Sequence, residues 1–301
     1  MIEWVLIGIA RLLLPLLQAL PLTAVARLGR AGGSLAWLLD RRHRAVALRN
    51  LELCFGHQLD ADTRRRLARE NFRNLGENYA CGVRTAFMPW HRLAHHLELA
   101  GFDRFADLLS PQATGSAIAA LGHFGNFELF ARIRPAFPHL QLATTYRGLR
   151  QAAATRMLLR LRARSGCLFF ERRQDARALR EALRSQRLFL GLLADQHDGR
   201  GVRVPFLGHD ASTSTAPALL ALRYRSPLVT LFCFRIGLAR WRLEAGDLIP
   251  TRDLAGHARP LADIARDMNA SFERAIRRDP ANWFWVHRRW KPMPALPPAP
   301  A

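Results

Sequence analysis

Half of the 301 residues are hydrophobic, enough apolar material for a sizeable core, which argues against a chain disordered throughout. With 45 basic against 24 acidic residues the net charge is +21, a balance suited to an anionic lipid surface or a nucleic acid. Cys54, Cys81, Cys167 and Cys233 form no Cys-x-x-Cys pair and no zinc spacing, so they read as reduced, mostly buried apolar residues rather than a disulfide framework.

From Trp4 to Ala26 the chain is apolar except for Arg11, Gln18 and Thr23, with Pro15 and Pro21 as breakers. That is the length of a membrane span, roughly 20 residues. Residues 1–26 are therefore expected to form a hydrophobic anchor helix that spans the membrane or lies in its interface. Ala24-Val25-Ala26 mimics a signal-peptidase site, but Met1-Ile2-Glu3 lacks the positive start of a signal peptide. Arg27, Arg30, Arg41, Arg42 and Arg44 follow at once, which predicts that the remainder stays on the cytoplasmic side.

Residues 27–109 read as helices. Leu67, Phe72, Leu75 and Tyr79 share one face of a segment crowded with Arg64, Arg65, Arg66, Arg69 and Arg73. His91 and His95 have the spacing of two metal ligands on a helix, but with no third ligand they read as solvated histidines. No metal site is expected elsewhere.

From Ser116 short apolar runs alternate with helical stretches. Ser116–Leu121, Leu140–Thr145, Leu188–Ala194 and Pro227–Phe234 are strand candidates, and Trp241–Glu244 is an antiparallel return after Gly237. Asp175 is placed to cap a helix with apolar positions Ala178, Leu179, Ala182 and Leu183, and Ile264, Met268, Phe272 and Ile276 mark another. This alternation predicts an α/β fold, a central sheet flanked by helices, whose functional residues collect at strand carboxyl ends. His123, Arg147 and Asp195 sit at such ends. Asn269-Ala270-Ser271 matches a glycosylation sequon, but within a helical pattern it reads as chance. Residues 291–301, rich in Pro and Ala, read as a disordered tail.

The segment Gly122-His123-Phe124-Gly125-Asn126-Phe127-Glu128 carries the chemistry. On a continuous helix a five-residue step turns about 500°, which would leave the His123 and Glu128 side chains about 140° apart. They meet only if the chain bends, a freedom Gly125 supplies, with Asn126 capping a helix just beyond. Glu128 would then orient the imidazole and His123 would serve as a general base for a substrate hydroxyl. A histidine and a carboxylate at this spacing also occur as a helix cap beside a surface histidine, so the motif alone does not decide.

In order along the chain, this block, Tyr146-Arg147, Leu193-Ala194-Asp195-Gln196, Val204-Pro205-Phe206-Leu207-Gly208, Ala211-Ser212-Thr213-Ser214-Thr215 and Trp283-Phe284-Trp285-Val286-His287-Arg288-Arg289-Trp290-Lys291 resemble the motifs of the late acyltransferases of lipid A biosynthesis, a branch of the glycerolipid acyltransferase superfamily. Gly148 departs from the proline usual after Tyr-Arg, and the helix with Arg156, Arg160, Arg162 and Arg164 is unusually basic. The resemblance implies a mixed-sheet acyltransferase domain over residues 27–290, with its α/β catalytic part at 110–290. His123 and Glu128 would be catalytic, and Asn126, Arg147, Arg164, Asp195 and Gln196 would bind substrate. It further implies an acyl carrier protein as thioester donor, a lipid A precursor or related glycolipid as acceptor, no cofactor, and a place at the cytoplasmic face of the inner membrane. Another membrane lipid as acceptor is the nearest alternative. A nucleic-acid-binding protein is the alternative from charge alone, but no helix-turn-helix, RRM, KH or zinc-finger pattern accompanies the charge. The absence of a Gly-x-Ser-x-Gly elbow excludes the usual serine hydrolase.

Overall fold

The computed structural model describes residues 17–148 and 151–291. Three helices come first: α1 (Leu22–Leu39), α2 (Arg41–Phe55) and α3 (Ala61–Thr85). Asp40 and Asp60 start the second and third by accepting the His43 and Thr63 N–H at 3.0 and 2.7 Å. α1 lies directly on α3, because Gly29 and Gly33 meet Gly76 and the Phe72 carbonyl with no room for a Cβ on any of the three glycines. Part of the expected anchor, residues 1–16, lies outside the described residues. Its expected end at Ala26 is corrected: Leu22–Ala26 open a helix that runs on to Leu39 and buries Val25 and Ala26. No described helix is long and apolar enough to cross a membrane.

The strands are β1 (Leu97–Ala100), β2 (Ala117–Leu121), β3 (Gln141–Tyr146), β4 (Leu168–Glu171), β5 (Leu188–Leu193), β6 (His197–Phe206), β7 (His209–Thr213), β8 (Leu228–Gly237) and β9 (Arg240–Ile249). Seven form one sheet in the order β1-β9-β8-β2-β5-β3-β4. The β8–β9 pair is antiparallel and the other pairs are parallel, so the sheet is mixed, as expected. The return strand after Gly237 is longer than its sequence pattern implied. β1, inside the stretch read as helical, is a strand along the edge of β9. β6 and β7 form a separate hairpin whose two-residue turn, Leu207-Gly208, takes positive φ at both positions (51° and 82°), the turn that matches strand twist.

β2 is buried throughout, and its side chains alternate between two cores. Ile118 and Ala120 join Leu190, Phe232, Phe272 and the Trp283/Trp285 pair on one face. Ala119 and Leu121 join Leu142, Leu231 and Trp241 on the other. Among the described residues, four helices of eight residues or more follow α3: α4 (Ala152–Arg162), α5 (Ala176–Ser185), α6 (Ala216–Arg223) and α7 (Leu261–Arg278). Asp175 precedes α5 as expected, but its carboxylate accepts the Glu171 N–H at 2.7 Å instead of an N–H of the helix. Asn269 of the sequon is fully buried in α7.

Candidate active site

Strand register assembles the site. Leu121 at the end of β2 lies beside Leu193 at the end of β5, and the Ala194 N–H donates to the Leu121 carbonyl at 3.0 Å. His123 and Asp195 each follow two residues later and so emerge side by side. His123 Nδ1 is 2.6 Å from Asp195 Oδ1, and Asp195 Oδ2 accepts the His123 backbone N–H and Trp283 Nε1–H, each at 2.7 Å. Asp195 is wholly buried. Burial alone would raise its pKa, but the His123 imidazole and these hydrogen bonds outweigh burial and hold the carboxyl below its ordinary range. With Nδ1 committed to a carboxylate, Nε2 is the nitrogen left for substrate.

Gly125 supplies the bend, at φ +48°, where a Cβ would strike the Cys233 carbonyl oxygen. The chain then enters a 3₁₀ turn, Phe127–Arg132, in which the Leu129 N–H reaches the Asn126 carbonyl at 3.0 Å. The Asn126 side chain is buried and does not cap this turn; its Nδ2 has no partner among the described residues. Glu128 lies in the first turn, as its spacing implied, but reaches across to α4 rather than back to His123. Its Oε2 accepts Arg162 Nε–H at 3.1 Å and its Oε1 accepts Arg162 Nη2–H, a bidentate pair. The Arg162 guanidinium also lies 5.1 Å from the Phe169 ring centroid and 6.0 Å from that of Tyr146. Its Nη1 is buried without a partner among the described residues.

A cavity of about 280 Å³ opens here, lined by His123, Asn126, Phe127, Glu128, Arg162 and Phe284, with α3 contributing Leu75, Tyr79 and Val83. The Phe127 and Phe284 rings flank the imidazole at 5.0 and 5.6 Å between centroids. Behind Phe127, Glu128, Ala131 and Arg162 lies a second space of about 70 Å³, walled by Leu121, Leu142, Phe189, Leu193 and Leu231.

The structure thus brings His123, Asn126, Glu128 and Asp195 to one place. Gln196 follows in the bend after β5, half-buried. Arg147 is exposed at the end of β3, and Arg164 is exposed with its guanidinium 5.3 Å from the Phe87 ring centroid. Among the described residues no group of three or more His, Cys, Asp and Glu side chains is placed to hold a metal ion.

Trp283 and Arg162 are the partners that sequence reasoning did not assign. Trp283 is buried in the core, and its indole N–H also fixes Asp195. Arg289, in the closing motif, is also structural. It is fully buried and donates to the Ser212 carbonyl and, at 2.7 Å, to Thr213 Oγ1, where Asn269 Nδ2 also donates at 3.0 Å. The Thr-rich stretch therefore belongs to β7 and to this lock on the hairpin, and does not serve as a side-chain cap for α6. Burial holds the Arg289 guanidinium down at about 10 despite Asp195 nearby. Burial likewise pushes His287 down to about 4, with His123, Lys291 and Arg289 adding to the effect and Asp195 opposing it.

A buried carboxylate on the inner nitrogen of a histidine, at the wall of an apolar cavity and at the carboxyl ends of adjacent strands, is an arrangement that can serve as a general base. The family described as bacterial lipid A biosynthesis acyltransferase matches residues 1–292, and the chain belongs to it. It is therefore an acyltransferase. The lipid A biosynthesis palmitoleoyltransferase of Escherichia coli (strain K12) is 27% identical over 280 residues, covering 91% of this chain and 87% of that protein. The lipid A biosynthesis acyltransferase of Shigella flexneri shows the same identity and coverage. The lipid A biosynthesis lauroyltransferase of E. coli K12 is 26% identical over 302 residues, covering 97% of this chain and 92% of that protein. The excess of arginine thus sits on an acyltransferase, not on a nucleic-acid-binding fold.

Proposed function

We propose that this chain moves a fatty acyl group from an acyl thioester onto a hydroxyl of a lipid A precursor or related glycolipid, with His123 as general base and no cofactor. The observation that carries the reading is the Nδ1 contact of His123 with wholly buried Asp195 at the wall of an apolar cavity. Asp195 keeps the Nδ1–H tautomer and stabilises the imidazolium. Nε2 takes the proton of the acceptor hydroxyl as its oxygen attacks the thioester carbonyl carbon. A carbon–oxygen bond forms, the carbon–sulfur bond breaks, and the imidazolium returns the proton to the leaving thiolate. The thioester brings its own activation, so the transfer calls for neither metal nor redox group.

Glu128 holds Arg162 in the same cavity wall, and the free Arg162 Nη1 is the donor available to the developing oxyanion. The cavity and the smaller space behind it accept the alkyl chain. An acidic acyl carrier protein is the donor that a surface of net charge +21 steers best. The printed names of the relatives favour a lipid A precursor as acceptor. A location at the cytoplasmic face of the inner membrane follows from the substrate and from the arginines after the apolar N-terminus. The test is mass spectrometry of total lipids from cells with and without the gene. Loss of species heavier by one acyl group, restored by the wild-type chain and not by His123→Ala, supports the reading; unchanged lipids refute it.

A further inference from the structure

One face of α1 packs on the body of the protein through Val25, Ala26, Gly29, Gly33 and Trp37. Its opposite face is apolar and bare. Leu28, Leu35, Leu38 and Leu39 are 55, 55, 65 and 71% exposed, the largest such group among the exposed apolar side chains. Ala31, also exposed, completes the 28, 31, 35, 38 spacing that makes a straight stripe on a helix. At 1.5 Å per residue the stripe from Leu28 to Leu39 is about 16 Å long. The helix contains no Asp or Glu. Arg27 stands exposed at one end and Arg41 and Arg42 at the other, and none is in an ion pair among the described residues.

We infer that this outward face of α1 is a membrane-docking surface that lies flat in the headgroup layer of an anionic bilayer. The inference deepens the membrane location proposed above, extends it past the apolar run at residues 4–26, and is independent of the acyl-transfer chemistry. The leucines reach the acyl boundary while the flanking arginines meet phosphates, the division of labour of an interfacial helix. A second copy fits less well: parallel or antiparallel, it would bring arginines against arginines at both ends. α1 lies along α3, and Tyr79 of α3, 61% exposed, belongs to the lining of the cavity that holds His123.

The test uses the full chain bound to vesicles of phosphatidylglycerol and phosphatidylethanolamine. Leu28→Cys, Leu35→Cys and Leu38→Cys each carry a nitroxide, with Arg266→Cys on the exposed side of α7 as aqueous control and the protein without added cysteine as blank. The ridge labels are expected to gain oxygen accessibility and lose accessibility to a water-soluble nickel chelate on binding, by several-fold relative to the control. Ridge labels that stay open to nickel on bound protein overturn the docking surface while leaving a membrane location intact. Labels shielded from both reagents, with spin–spin broadening, assign the face to a second copy and overturn it too. Failure to bind the vesicles at all overturns the docking surface together with the membrane location, whereas acyl transfer to dispersed acceptor tests the chemistry separately.

Discussion

Asp195→Asn separates the two ways of orienting His123, through Asp195 or through Glu128. Asp195 Oδ2 already accepts two N–H groups, from the His123 backbone and from Trp283, so an asparagine keeps its carbonyl oxygen on that side. Its NH₂ then faces His123 Nδ1, which must become an acceptor, and the ring proton moves to Nε2, the nitrogen needed as base. In serine-protease triads the same exchange lowers turnover about 10⁴-fold. That corresponds to about 5.5 kcal/mol of transition-state stabilisation. The hydrogen-bond geometry survives, so the melting temperature should move little. The assay is single-turnover acyl transfer from a purified thioester donor, followed by mass spectrometry, with a circular-dichroism melt as the folding control. Glu128→Gln provides the contrast: Glu128 contacts Arg162 and not His123, so its loss should cost clearly less than that of Asp195. A folded Asp195→Asn enzyme within tenfold of wild type, beside a Glu128→Gln enzyme slowed a thousandfold or more, would refute the reasoning and return Glu128 to the imidazole.

Gly33→Ala should lower the melting temperature measurably, with a penalty of about 1–3 kcal/mol, because its Cβ would meet Phe72 backbone and push α1 off α3; an unchanged melt would contradict that contact. His287 stays neutral in the fold to about pH 4 but titrates near its ordinary 6.5 when unfolded, so the unfolded chain binds more protons between these values. Stability should therefore fall as pH drops through that window, and His287→Gln should flatten the slope in denaturant melts taken from pH 7 to 4. Acyl transfer should persist in excess chelator; activity lost on chelation and restored by a divalent ion would contradict direct transfer.

The sheet was legible because β2, β5 and β8 are nearly continuous apolar runs that end in polar residues, and the strand-end rule pointed to His123 and Asp195 separately. Their pairing was not legible. It depends on β2 lying beside β5 with Leu121 opposite Leu193, a register between segments 72 residues apart that no local pattern encodes. The local partner, Glu128, looked attractive because only four residues separate it from His123. The chain does bend at Gly125, but Arg162 of α4 offers Glu128 a bidentate partner, which the many arginines of that helix left undistinguished. β1 escaped notice because four residues at a sheet edge carry no period of their own. The β6–β7 hairpin was visible only as motifs, since Leu207-Gly208 lacks the Asn-Gly signal usual for such a turn. Nothing in the sequence signals that the Trp283 N–H is committed to the Asp195 carboxylate.

The most direct measurement of the central claim is the rate of acyl transfer by His123→Ala in a purified system of thioester donor and lipid A precursor. The imidazole is only 15% exposed and forms part of the cavity wall, so its removal should leave a folded protein that still binds lipid. Losing a positioned general base should slow formation of the product heavier by one acyl group by about 10²–10⁴-fold. A folded His123→Ala protein that makes this product at the wild-type rate would contradict the account.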